Sequence, residues 1–170
     1  MTELRREESL GYLVNHLARL MARALHREIS AHGVVPGQFP VLLSLWEEDG
    51  LTQSELHQRT QVEQATMANT LQRMERDGLV VRKADPADAR RSRVHLTARA
   101  RTLEGVLIQS ARRVNQIATG TLSAVDRARF LRLLRHAISA LDSARREAAV
   151  SRASSSDRRH PTSPQGPRGR

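Results

Sequence analysis

The side chains in this chain best suited to chemistry are amides and guanidinium groups, and their spacing suits recognition better than catalysis. In the run Glu63–Asp77, Met67, Leu71 and Met74 recur at helical spacing. At about 100° per residue, the opposite side carries Ala65, Asn69, Gln72 and Arg76, flanked by Thr66, Ala68 and Arg73. Small residues near the N-terminus let such a helix approach the DNA major groove closely, and Asn, Gln and Arg match the donor and acceptor pairs of base edges. A solvated helix face has the same composition, so on this helix alone both assignments stand. A second basic group, Arg90, Arg91 and Arg93, follows within twenty residues. At the tip of a hairpin such arginines can enter a minor groove and be held by its negative potential. Asp88 could grip the Arg90 guanidinium in a bidentate pair and set its direction.

Catalytic chemistry finds no comparable grouping. The seven histidines stand at 16, 26, 32, 57, 95, 136 and 160, and no two have the i, i+4 spacing that puts two metal ligands on one helix face. There is no glycine-rich phosphate loop, nucleophile elbow or acid pair. The sequence therefore predicts no catalytic residues, no metal and no cofactor. Cysteine is absent, which excludes disulfides, thiolate metal sites and a thiol redox sensor.

The elements that must position the basic groups are legible from their punctuation. Thr52 with Glu55 three residues later forms a capping box, opening a short helix at Gln53 that ends near Arg59. After Thr60-Gln61 the polar-faced helix follows, and Gly78 supplies its left-handed C-cap. Leu79–Arg82 and Arg93–Leu96 can each be a short strand, with the nine turn-forming and charged residues KADPADARR between them. Helix, turn, helix and hairpin make a winged helix-turn-helix over about 37–97.

Long helices flank this region. Leu10, Leu13, Leu17, Leu20, Ala24 and Leu25 make a stripe over about 9–32, capped by Ser9 and ended by Gly33. Phe39, Leu42, Leu43 and Trp46 form the stripe of a shorter helix, with Pro40 in its first turn. Leu103, Leu107, Ser110, Val114 and Ile117 give a heptad-like seam over about 98–118, and Phe130, Leu134, Ala137 and Leu141 another over about 124–147. A DNA-binding core of this size does not need such seams, so the first, fifth and sixth helices are expected to form a homodimer interface. The fold class is mainly α with a small β-hairpin wing, an α+β arrangement with long terminal helices forming a dimerisation region.

The run Asp85-Pro86-Ala87-Asp88-Ala89-Arg90-Arg91, followed by Val94-His95-Leu96-Thr97, resembles the wing signature of the MarR family of winged helix-turn-helix regulators. Leu51-Thr52-Gln53-Ser54-Glu55-Leu56 and Met74-Glu75-Arg76-Asp77-Gly78-Leu79-Val80 resemble the pieces preceding it, and the likeness covers about Leu10 to Leu141. The resemblance implies a homodimer on a pseudo-palindromic double-stranded operator, usually a repressor released by a small, often aromatic or phenolic, effector. Carried over by position, Gln64, Ala65, Thr66, Ala68, Asn69, Gln72 and Arg73 would face the duplex from the recognition helix, and Asp88, Arg90, Arg91 and Arg93 from the wing. A cleft between dimer helices and DNA-binding lobe is also implied. His16, Arg19, Phe39 and Trp46 are candidates for it, although core packing for the two aromatics and a helix flank for the other two suit the residues better. Many relatives carry glycine three residues after the wing threonine, where this chain has Ala100.

Composition agrees with a polyanionic partner. The net charge of the 170 residues is +10, with Lys83 the only lysine among 28 basic residues. Four aromatics, Tyr12, Phe39, Trp46 and Phe130, are too few for a single-strand reader that stacks on bases. No apolar run approaches the ~20 residues of a membrane span, and the charged N-terminus lacks a signal-peptide core, so a cytoplasmic protein without membrane contact is expected. The domain is expected over 1–149. Residues 150–170, rich in Ser, Pro and Arg, read as a disordered basic tail, with a salt-sensitive phosphate-binding arm and an idle tail both open. A constitutive DNA-binding regulator, or a helical dimerisation module with a protein partner, are the competing functions.

Overall fold

The computed structural model describes residues 5–157, which divide after Ala118 into two compact units. The first unit begins with α1 (Leu10–Ile29), whose N-cap Ser9 accepts the Tyr12 N–H at 3.3 Å. A 3-10 turn, Ser30–His32, closes on Gly33 at φ +69°. A second 3-10 turn, Pro36–Gln38, leads into α2 (Phe39–Glu47). Its inward face is Phe39, Val41, Leu42 and Leu45; of the expected stripe Phe39 and Leu42 are buried and Trp46 packs against the core, while Leu43 is exposed.

The capping box is present. Thr52 Oγ1 accepts the Glu55 N–H at 3.3 Å, and Glu55 Oε2 accepts the Thr52 N–H at 2.7 Å, opening α3 (Gln53–Thr60). Three residues separate it from α4 (Gln64–Arg76). Met67, Leu71 and Met74 of α4 are fully buried, and the chain leaves through Gly78 at φ +67° while the Leu79 N–H bonds back to Met74 O at 2.9 Å.

The hairpin is longer than its composition predicts. β2 (Val80–Asp85) and β3 (Asp88–Leu96) pair almost to the tip, leaving only Pro86 and Ala87 as the turn where nine loop residues were expected. A register shift between Ala84 and Asp85 lets the pairing continue, and the Asp85 carboxylate accepts the Ala87 N–H at 3.0 Å. The two-residue β1 (Leu51–Thr52) joins β3 at Leu51↔Val94 and Thr52↔Arg93, giving an antiparallel sheet in the order β1-β3-β2.

Thr97 then opens α5 (Ala98–Thr119), its Oγ1 accepting the Ala100 N–H at 3.1 Å. The bend needs no glycine: Ala100 is fully buried, and its carbonyl accepts the Trp46 indole N–H at 3.1 Å. Leu107, Ser110 and Val114 are buried within this chain and only Ile117 of the expected seam stands well out, at 75% exposure. Most of the α5 seam is therefore intrachain core. One cluster unites Ile29, Leu42, Leu45, Leu56, Met67, Leu71, Met74, Leu79, Val94 and Leu107.

The second unit holds α6 (Ala124–Asp157), opened by Ser123, whose Oγ accepts the Asp126 N–H at 3.1 Å. Val125, Phe130, Leu133, Ile138 and Leu141 on it are exposed. The helix runs beyond the expected 147, so 150–157 is helical rather than tail, and the rest of the expected tail lies outside the described residues. No helix among the described residues is long and apolar enough to cross a membrane.

Candidate nucleic-acid interface and adjoining cavity

Burying Met67, Leu71 and Met74 turns the other side of α4 outward. Gln64, Ala65, Thr66, Asn69, Gln72 and Arg73 are exposed, and Ala68 is half-buried at the edge of the face. Among the described residues, Asn69, Gln72 and Arg73 make no side-chain hydrogen bond or ion pair with the rest of the chain, leaving their donors and acceptors open to solvent. Arg76 differs, because its Nε reaches Asp77 Oδ1 at 3.1 Å.

The wing arginines separate by register. Arg90 and Arg91 lie on β3 near the turn and are exposed, without an ion pair among the described residues. Arg93 lies deeper, opposite Lys83 and Thr52, and is only partly exposed. Its Nε meets Asp85 Oδ2 at 2.9 Å and its Nη1 donates to Gly50 O at 2.9 Å. It is thus a brace at the wing's base, not a residue of the tip. Asp88 also departs from expectation, since its Oδ1 accepts the Arg90 backbone N–H at 3.0 Å and fixes the turn rather than the guanidinium. Arg82 ties the wing to α4 through Glu75 at 3.1 Å.

Four carboxylates lock this frame. The Ala87 N–H, then the Arg93 guanidinium, outweigh burial and hold Asp85 below its ordinary range. Burial would raise the Asp49 carboxyl, but the Leu96 N–H at 2.8 Å, the His95 ring and Arg101 together hold it low. Glu55 is lowered by the Thr52 N–H and hydroxyl, and Asp77 first by the Gln38 amide.

A cavity of about 450 Å³ opens beside the α2 start. Its walls are Met21, Ala22 and Leu25 of α1, Pro36, Phe39, Pro40 and Leu43 around α2, and Ile108, Ala111, Arg112, Val114 and Asn115 of α5. Of the expected effector residues only Phe39 lines it. His16 is exposed and stacked on Tyr12, Arg19 bonds Asn15 Oδ1 at 3.2 Å, and Trp46 packs edge-on to Phe39 with its indole N–H on Ala100 O. Arg112 was missed because only the packing of α5 against α1 brings it to the lining. No local motif marks it.

Residues 35–92 match the family model described as MarR family. The HTH-type transcriptional repressor NicR of Pseudomonas putida is 29% identical over 131 residues, spanning 77% of this chain and 83% of NicR. The transcriptional regulator HosA of Escherichia coli O111:H- is 34% identical over 103 residues, spanning 61% of this chain and 76% of HosA. Among solved structures, the PcaV transcriptional regulator from Streptomyces coelicolor in complex with its natural ligand superposes with a TM-score of 0.75 at 28% identity, covering 83% of this chain and 99% of PcaV.

Proposed function

Because this chain belongs to the MarR family of winged helix-turn-helix, DNA-binding transcriptional regulators, we propose that it acts as a homodimeric repressor released from a pseudo-palindromic operator by a small aromatic or phenolic acid. The observation that carries this reading is the α4 face, where Asn69, Gln72 and Arg73 stand outward, unpaired among the described residues, above a fully buried Met67-Leu71-Met74 seam. With that face in the major groove, Arg90 and Arg91 of the wing reach toward the adjacent minor groove. With DNA as its partner, the protein acts in the cytoplasm.

Exposed Leu10, Leu13, Val14 and Leu20 on α1, and Val125, Phe130, Leu133 and Leu141 on α6, supply apolar surface for a second copy. Two-fold symmetry then sets the recognition helices about 34–36 Å apart, one helical turn of DNA. The repressor sign is supported by NicR, and ligand control by the cavity and by PcaV's natural ligand. In the cavity, Phe39, Leu43 and Ile108 suit a flat ring and Arg112 a carboxylate. Such a ligand acts by binding a DNA-incompatible arrangement better than the compatible one, and shifts the population by that difference in affinity.

Fluorescence anisotropy on a duplex from the gene's own upstream region, beside a scrambled duplex near physiological salt, tests the reading. A preference of at least about a thousandfold is expected. Equal, weak binding to both, together with no shared motif in a genome-wide selection of bound fragments, would overturn it.

A further inference from the structure

The elements that wall the cavity also converge, at their ends, on one residue at the end of the recognition helix. Gln38 sits between the lining residues Pro36 and Phe39 and is only 3% exposed. Its Oε1 accepts the Val35 N–H at 3.1 Å, and its Nε2 donates to Asp77 Oδ2 at 2.8 Å. Asp77 caps the C-terminus of α4. Its backbone carbonyl accepts from Nη1 of Arg99, in the first turn of α5, and Nη2 of the same guanidinium donates to His32 O at 2.8 Å, at the end of the turn that follows α1. The α1 end, the α2 start and the α5 start, each continuous with a cavity wall, are thus pinned together at Asp77.

We propose that Asp77, held by Gln38 and Arg99, is the clasp through which occupancy of the cavity is transmitted to the recognition helix. A body wedged between α1, Pro36–Pro40 and α5 moves rigid elements whose ends share this clasp, and a packed helix shifts as a unit rather than yielding locally. Gln38 and Arg99 are positioning residues, since neither lies on the outward α4 face. The inference rests on the ligand-controlled reading above, and it assigns the residues that carry the control.

The test needs no identified ligand. Ala111→Phe puts a ring into the cavity from within its lining, in the full chain. It is combined with Arg99→Ala, Asp77→Ala or Asp77→Asn, each variant being checked for folding by thermal unfolding. Affinity is read on a genomic fragment recovered by selection, and hydrogen exchange of the amides at 73–79 is read without DNA. The inserted ring should weaken DNA binding by about tenfold in the parent, a usual coupling between sites. With Arg99→Ala or Asp77→Ala the same ring should change affinity by no more than about twofold, the additivity limit for independent sites. Asp77→Asn, which keeps an acceptor for Gln38, should retain the response. The ring should alter exchange at 73–79 only where the clasp is intact. An equal loss of affinity in all backgrounds, or no effect of the ring on affinity and exchange in the parent, would overturn the clasp. If the parent prefers no fragment at all, the regulator reading fails alone, and the exchange comparison still decides the clasp.

Discussion

At the scale of single residues, the arginines fall into two groups with different work. Arg82, Arg93, Arg99, Arg101 and Arg113 are engaged by the chain itself, on Glu75, Asp85, the Asp77 and His32 carbonyls, Asp49 and Glu28. Arg73 and Arg90 have no such engagement among the described residues and face outward, and Arg91, also exposed, acts on the Asp85 and Glu55 carboxylates through its charge. Replacing a base-reading side chain should have a different signature from replacing a phosphate contact. Asn69→Ala and Gln72→Ala should each cost about 1–3 kcal/mol of operator binding and relax preference at one base position, measured by anisotropy on a set of single-base operator variants. Arg90→Ala should weaken binding, flatten the salt dependence and reduce the preference for duplexes with a narrow minor groove beneath the wing. Uniform loss from Asn69→Ala would show that the α4 face does not read bases. Arg93→Ala should instead lower the thermal midpoint, because it strips the buried Asp85 carboxylate of its guanidinium partner.

At the scale of elements, local punctuation accounts for where the helices begin and end. Thr52 and Glu55 satisfy backbone groups within one turn, so their effect does not depend on the rest of the fold. Thr52→Ala should cost about 0.5–2 kcal/mol of stability, seen as a lower urea midpoint with an unchanged slope. The wing illustrates the contrary case. Its Asp, Pro and Ala residues read as a long loop, yet pairing with β3 extends the strands to Asp85 and Asp88. That pairing is cross-strand, and the contact of β1 with Val94 and Arg93 spans some forty residues of sequence, so neither has a local signature. For the same reason Arg93 reads as a tip residue by proximity to Arg90 and Arg91, although register puts it beside β1.

At the scale of the molecule, two expectations concern how the whole chain holds together. Asp49, Glu55, Asp77 and Asp85 all have folded pKa values below their ordinary ones of 3.8 to 4.5. On acidification the unfolded chain therefore takes up protons first. The stabilisation they provide is complete above the ordinary carboxylate range and is lost as pH falls through it toward the lower folded values. The urea midpoint should be lower at pH 3 than at pH 7, and Asp49→Asn with Asp77→Asn should shrink the difference. An identical pH dependence in the double variant would refute this account. The second expectation concerns self-association. Charges placed at Phe130 and Leu141, both exposed in the single chain, should convert a dimer to monomer in sedimentation experiments while leaving the unit that ends at Ala118 folded.

The sequence by itself determined the order of the helices, their caps, the buried side of α4 and, through its motifs, the family. These depend on neighbours three or four residues apart, where chain geometry leaves few alternatives. Tertiary structure alone decided that Arg93 braces while the Arg90 side chain is exposed near the turn, that Trp46 anchors to Ala100 while Phe39 lines a cavity, and that Leu107 and Val114 serve this chain's own core. Those outcomes turn on contacts between residues tens of positions apart, such as Trp46 with Ala100 or Gln38 with Asp77. Periodicity states which side of a helix is apolar, but only packing states what that side meets.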